Sequence, residues 1–150
     1  MIRSSDNIRL WYLSGGMTKF GTDEFHRSND WRKELKVLIE EMSGRHVTAL
    51  NPNDHWNMNT DPNEFTDREA MNLDIYKLRK SELVIYNNND PYSRGSMIEL
   101  GIAYQLRLPI LTLNEDKQEI HPWIRCLSER IFSNRTDLIV YLREHYIGID

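Results

Sequence analysis

The feature that most constrains this chain is its alternation of short apolar runs with segments of helical spacing. Ile8–Ser14 is rich in β-formers and stops at Gly15-Gly16. Trp31, Leu35, Leu38, Ile39 and Met42 then recur at helical intervals, with Asn29 or Asp30 as a cap and Gly44 as a stop. Val47–Leu50 predicts a second strand, followed by the polar stretch Asn51–Phe65, a long loop of the kind that often carries function. Thr66 to Glu69 forms a capping box that opens a helix running to about Lys80. Leu83–Tyr86 is a third strand, Asn87–Arg94 a turn-rich loop, Met97 to about Leu106 a helix and Ile110–Leu113 a fourth strand. In the tail, Pro122–Ser128 predicts a short helix, Arg130–Phe132 a fifth strand and Thr136–His145 a final helix. Strand and helix in strict succession imply parallel pairing with right-handed crossovers. The expected architecture is therefore a single α/β domain over 1–150: a flavodoxin- or Rossmann-like three-layer fold around a mostly parallel sheet of about five strands.

Composition narrows the function classes. The 150 residues include 19 Lys plus Arg against 23 Asp plus Glu, a net charge of −4, which argues against a nucleic-acid polymer as partner. The single cysteine, Cys126, forbids an internal disulfide framework and fits a reducing, cytoplasmic setting, and a packed core thiol is its expected state. Arg3, Asp6 and Arg9 interrupt any apolar leader, and no apolar run approaches the roughly 18 residues of a membrane span. The five histidines lack metal-ligand spacing, so neither a metal nor another cofactor is expected.

In a parallel sheet, ligands lie beyond the carboxyl ends of the strands near a switch in strand order. Three places there could carry chemistry. Tyr12-Leu13-Ser14-Gly15-Gly16-Met17 ends the first strand, and its glycines would let a ligand approach the backbone. A plain tight turn explains that segment equally well locally. Asp74 shares a helical stripe with Met71, Ile75 and Leu78, where a carboxylate is costly unless paired or functional. Arg32 and Arg79 are its candidate partners. Glu99 opens a helix whose inward face would hold Ile102, Ala103 and Leu106. The bland alternative makes Ser96 and Glu99 a capping box. An inward glutamate at a helix N-terminus is instead favoured in its ionised form, which suits a nucleophile. Two carboxylates in one cleft suit glycosidic cleavage, one attacking the anomeric carbon and the other assisting the leaving group. Trp56 and Phe65 could stack on a base or merely anchor their loop.

Taken together, these segments resemble the nucleoside 2-deoxyribosyltransferase family, which includes related 2′-deoxynucleoside 5′-monophosphate N-hydrolases. The resemblance spans roughly residues 8–113, carried by the Tyr12–Met17 turn, by Asn72–Leu78 running into Ser81–Ile85, and by Ser93–Ala103 before Pro109-Ile110-Leu111. It implies a catalytic set of Glu99 as nucleophile, Tyr12 as the hydroxyl that orients it, and Asp74 as sugar contact or proton carrier. Gly15, Gly16 and Met17 would line the pocket, with Trp56 as a further substrate contact. Where deoxyribosyltransferases commonly carry an aspartate for the sugar 5′-hydroxyl, this chain has Ser93, as the N-hydrolases do. A hydroxyl can donate to a phosphate that a carboxylate would repel. Arg94 and the helix start at Gly95-Ser96 would add to that anion site, while Asp90 is close enough in sequence to replace the missing carboxylate. His121, in His121-Pro122-Trp123-Ile124, occupies about the place from which relatives complete a neighbouring subunit's pocket, which implies a homo-oligomer. The implied partners are a small nucleoside or nucleotide and a nucleobase. A non-catalytic nucleotide-binding module on the same fold is the alternative, because fold does not fix function.

Overall fold

A computed structural model describes residues 8–16, 23–52 and 67–148. Five strands form one sheet: β1 (Arg9–Gly15), β2 (Val47–Leu50), β3 (Leu83–Asn87), β4 (Ile110–Leu113) and β5 (Arg130–Phe132). Their spatial order is β2-β1-β3-β4-β5, and every pairing is parallel. The helices between them are α1 (Asp23–Met42), α2 (Asp67–Lys80), α3 (Arg94–Gln105), α4 (Pro122–Leu127) and α5 (Arg135–Leu142), closed by a π-helical turn at Arg143–Ile147. The expected α/β three-layer architecture is present, and the sheet is parallel throughout rather than mostly.

Strand alternation sorts the core into two layers. Trp11 and Leu13 of β1 face α1 and α5, where they join Trp31, Leu35, Ile39, Leu138 and Leu142. Tyr12 faces the other way, toward Leu78 of α2, Leu100 and Ala103 of α3, and Ile124 of α4. The central strands are buried on both faces, which is why they read as continuous apolar runs rather than as alternation. Chain order reverses direction across the sheet between β1 and β3, where Tyr12 pairs with Val84 and Gly15 with Asn87. That switch point is where this fold places a ligand crevice.

Several boundaries differ from the sequence expectations. Helix α1 begins at Asp23, not beside Asn29 or Asp30. Asn29 is instead within the helix and accepts a hydrogen bond from Asn51 Nδ2 at 3.1 Å, which ties α1 to the exit of β2. Gly44 does close the helix, with φ +61, a conformation that favours glycine. Helix α3 starts at Arg94, one turn early, because Ser93 rather than Ser96 caps it. Leu38, Met71 and Leu106, expected on inward faces, are exposed: α1 and α2 bury a narrower stripe than their apolar spacing suggests, and Leu106 is the C-cap residue just beyond the end of α3. Cys126 is likewise exposed, because Ile124 supplies the inward contact of the short α4.

Leu13 is wholly buried in the two-sided core, whereas Ile98 stands on the outer face of α3. Leu13→Ala is expected to cost about 3 kcal/mol in urea unfolding, and Ile98→Ala less than about 0.5 kcal/mol. Equal midpoints for the two variants would contradict this layering.

Candidate active site

The carboxyl end of β1 supplies two hydroxyls on the same face, because residues two apart along a strand point the same way. Tyr12 and Ser14 both turn toward α3 and both donate to Glu99: the phenol to Oε2, and Ser14 Oγ to Oε1 at 3.1 Å. Glu99 sits in the second turn of α3, counted from the Ser93 cap. The cap itself is made by Ser93 Oγ, which accepts from Ser96 N at 3.4 Å and shares a 2.9 Å hydrogen bond with Ser96 Oγ. The Ser96–Glu99 capping box is therefore not formed, and the Glu99 carboxylate is free to meet the strand.

Electrostatics separates the two carboxyls. Burial pushes Glu99 up, but its Tyr12 and Ser14 donors and the Arg32 guanidinium oppose that shift by favouring the ionised form. Asp74 is pushed up to about 7, first by burial and then by Glu99, against the pull of Lys77 and Arg32. Two interacting acids of this kind share protons as a unit. Both carboxyls are raised by burial, and the hydroxyl donors on Glu99 favour placing the pair's charge there and the proton on Asp74. Tyr12 is driven far above its ordinary range, by burial first and then by both carboxylates, so its phenol stays protonated and remains a donor.

Two glycines allow the close approach. A Cβ on Gly15 would lie 2.8 Å from Trp31 Cζ2, and one on Gly16 would lie 2.5 Å from Asp90 Cβ. The backbone of Gly16 is fixed by its N–H to Asn89 Oδ1 at 2.9 Å. Gly15 and Gly16 thus lie between α1 and the loop after β3, and the demand for glycine there is steric. Gly95, by contrast, has open space around it.

Of the residues singled out by sequence, Tyr12, Asp74, Glu99, Gly15, Gly16, Ser93 and Ser96 gather around the β1–β3 switch point, together with Asp90. Met17, Trp56, Phe65 and Thr66 lie outside the described residues. His121 caps α4, its Nδ1 accepting from Trp123 N at 3.1 Å, with the two rings edge to face. Sequence reasoning missed Ser14 as a ligand of Glu99, although the two-residue period from Tyr12 marks it. It also treated Arg32 only as a possible partner for Asp74. Among the described residues, no group of three His, Cys, Asp or Glu converges as metal ligands would. No described helix is long and apolar enough to cross a membrane.

Comparison with known proteins supplies an independent line. The family model described as Nucleoside 2-deoxyribosyltransferase matches residues 18–142. No curated protein matches the chain by sequence. Among solved structures, a 2-deoxyribosyltransferase from Bacillus psychrosaccharolyticus superposes with a TM-score of 0.69 at 14% identity, covering 88% of this chain and 91% of the other. A 2-deoxyribosyltransferase from Leishmania mexicana gives 0.63 at 19% identity, covering 92% and 99%. A CMP N-glycosidase from Clostridium botulinum gives 0.56 at 16% identity, covering 89% and 97%. At such identities the likeness is one of fold.

The raised Asp74 carboxyl fixes the sign of a pH effect. Between its unfolded value of 3.8 and about 7, the folded protein holds the extra proton. Its contribution to stability is thus present at low pH and is lost as pH rises through that window. Asp74→Asn is expected to gain stability relative to the parent between about pH 4 and about pH 8, read as a widening gap between urea midpoints. A gap that is constant or shrinks over that range contradicts the assignment.

Proposed function

The chain belongs to the nucleoside 2-deoxyribosyltransferase family, and from that premise we propose that it cleaves the N-glycosidic bond of 2′-deoxynucleosides or their 5′-monophosphates through a glycosyl-Glu99 intermediate. Family membership supports N-glycosidic cleavage or transfer as the class of activity. The observation that carries the finer reading is the double hydroxyl grip on Glu99, from Tyr12 and Ser14, beside an Asp74 carboxyl that still holds its proton near neutrality.

The ionised Glu99 Oε attacks C1′ as the bond from C1′ to the base nitrogen breaks, through an oxocarbenium-like transition state. The bonding pair leaves with the base, which takes a proton from Asp74. Water or a second base then attacks C1′, the ester bond to Glu99 breaks, and Asp74 recovers the proton. Tyr12 and Ser14 hold the carboxylate at one angle throughout, so attack requires little reorganisation.

The reading takes water as the acceptor, on the strength of Ser93 at the position where deoxyribosyltransferases commonly carry an aspartate. Ser93, half-buried at the start of α3, has its hydroxyl where the helix dipole favours an anion such as a 5′-phosphate, while the buried Ser96 hydroxyl is bonded to it. Asp90 packs against Gly16, and its Oδ1 accepts from Tyr92 N at 3.0 Å, so part of its hydrogen-bonding capacity serves its own loop. Assembly into a homo-oligomer, with the segment around His121 completing a neighbour's pocket, belongs to the same reading. Trp123, 75% exposed beside it, offers an apolar contact for that assembly.

Incubation with dCMP, dGMP and free deoxynucleosides, with and without a second base, tests the reaction by chromatography. Free base from the monophosphates alone is the expected product. A new nucleoside that forms only with the second base would establish transfer instead. Glu99→Ala is expected to lose activity by on the order of 10³-fold or more, and an active variant refutes the nucleophile. The rate should show an acid limb set by Glu99 and an alkaline limb near the Asp74 value of about 7. Light scattering should find an oligomer, and a fully active monomer would exclude the shared pocket.

A further inference from the structure

One buried charge has no place in the chemistry above. Arg32 is only 1% exposed, although it belongs to the apolar core-facing stripe of α1 with Leu35 and Ile39. Its guanidinium lies 4.7 Å from the ring centroid of Trp31, a cation–π contact. From there Nη2 donates to the Gly15 carbonyl at 2.7 Å. Arg32 thus reaches from the α1 layer to the carboxyl end of β1, while Glu99 and Asp74 approach the same edge from the opposite layer. A buried guanidinium is costly unless opposite charge compensates it. Glu99 and Asp74, acids of the opposite layer, are among the groups that favour its charged form.

We propose that Arg32 is a positioning residue of this active site, which clamps the Gly15 turn from the α1 layer and sets a buried cation against the Glu99–Asp74 pair. The inference rests on the reading of Glu99 and Asp74 as the reacting carboxyls. The charged and titratable groups facing that pair are Tyr12 from β1, Arg32 from α1, Lys77 and Asp74 from α2, and Glu99 from α3. Lys77 acts on Asp74 ahead of Arg32, whereas the cation that acts on Glu99 is Arg32; without it, burial would favour a proton on Glu99, which would lose its nucleophilic form. Arg32 itself is lowered by burial, to about 10, and so keeps its charge at neutral pH. The clamp acts separately. The Gly15 carbonyl immediately follows Ser14, so fixing it fixes the angle at which Ser14 Oγ meets Glu99.

Charge and clamp can be split by substitution. Arg32→Lys keeps the charge but replaces the planar fork with a point charge on a flexible stem. Arg32→Gln removes the charge. Titration of the Glu99 and Asp74 carboxyl carbons by ¹³C NMR is the primary readout, because it needs no substrate. The expected result is an upward displacement of the pair's titration in Arg32→Gln, with Arg32→Lys close to the parent. In the rate profile the acid limb should move up with Gln and stay with Lys, while kcat falls in both by up to about 10²-fold with KM less affected. Carboxyl titrations unchanged in folded Arg32→Gln, or displaced equally in both variants, overturn the proposal. If Arg32→Gln does not fold, the parent protein still decides: the Arg32 guanidinium ¹⁵N signals should titrate together with the two carboxyls, and signals that stay constant across that range overturn it. A protein that cleaves no nucleoside yet shows the Gln displacement refutes the reaction and leaves the electrostatic role of Arg32 standing.

Discussion

Everything at this site follows from one costly placement: the Glu99 carboxylate is turned inward against the carboxyl end of a strand rather than out to water. A desolvated carboxylate is tolerated when hydrogen bonds and an opposite charge replace its lost hydration. Tyr12 and Ser14 supply the hydrogen bonds, and both are available because β1 points alternate residues to the same face. Arg32 supplies the charge. The cost of burial is therefore also the reason the group is reactive. A carboxylate with few waters to shed, held at a fixed angle, is closer to attack than a solvated one. Asp74 has neither hydroxyl donor among its stabilising neighbours, and the same burial keeps it protonated toward neutrality. Two acids with one chemistry are driven into two roles by their surroundings.

The parallel sheet makes that convergence possible. β1 and β3 are adjacent but their connections depart in opposite directions, which makes their carboxyl ends the switch point of the sheet. Glu99 enters it from α3 and Asp74 from α2, both packed on one face, while Arg32 enters from α1 on the other. The glycines at 15 and 16 are the steric condition for this meeting, since side chains there would collide with Trp31 and Asp90.

Much of the scaffold was legible because the buried strands are apolar throughout and bounded by Gly, Pro or Asn. The inward face of Glu99 was legible from helical spacing. What escaped was whatever depends on the choice between two equivalent local partners. Ser93 and Ser96 can each cap a helix, and only the path of the loop after β3 selects Ser93, which moves the start of α3 back and frees Glu99 from capping. Asn29 resembles a helix cap, yet its partner is Asn51, distant in sequence. Arg32 falls on the apolar stripe with Leu35 and Ile39, but spacing alone does not distinguish a buried arginine from one at a wet edge. The thiol of Cys126 was misplaced for a related reason: a six-residue helix buries one position per turn, and in α4 that position is Ile124.

Three consecutive asparagines at the exit of β3 show how a segment that reads as a mere turn can set a site. Asn88 accepts from the Tyr86 hydroxyl at 2.9 Å and donates to Asn114 Oδ1 at 3.2 Å and to the Glu119 carbonyl at 3.1 Å, which ties β3 to the chain leaving β4. Asn89 accepts from Gly16 N, which ties the same exit to β1. Asn87 continues the strand into register with Gly15 and Leu113. Amide side chains suit this work because each offers a donor and an acceptor without charge. An aspartate at any of these positions would add a further negative charge to the end of the sheet that holds the singly charged Glu99–Asp74 pair and would favour protonation there. The loop that delivers Ser93 to the head of α3 is therefore braced on both sides by neutral amides, which leave the electrostatics around Glu99 and Asp74 to groups from the neighbouring helices, Arg32 and Lys77 among them.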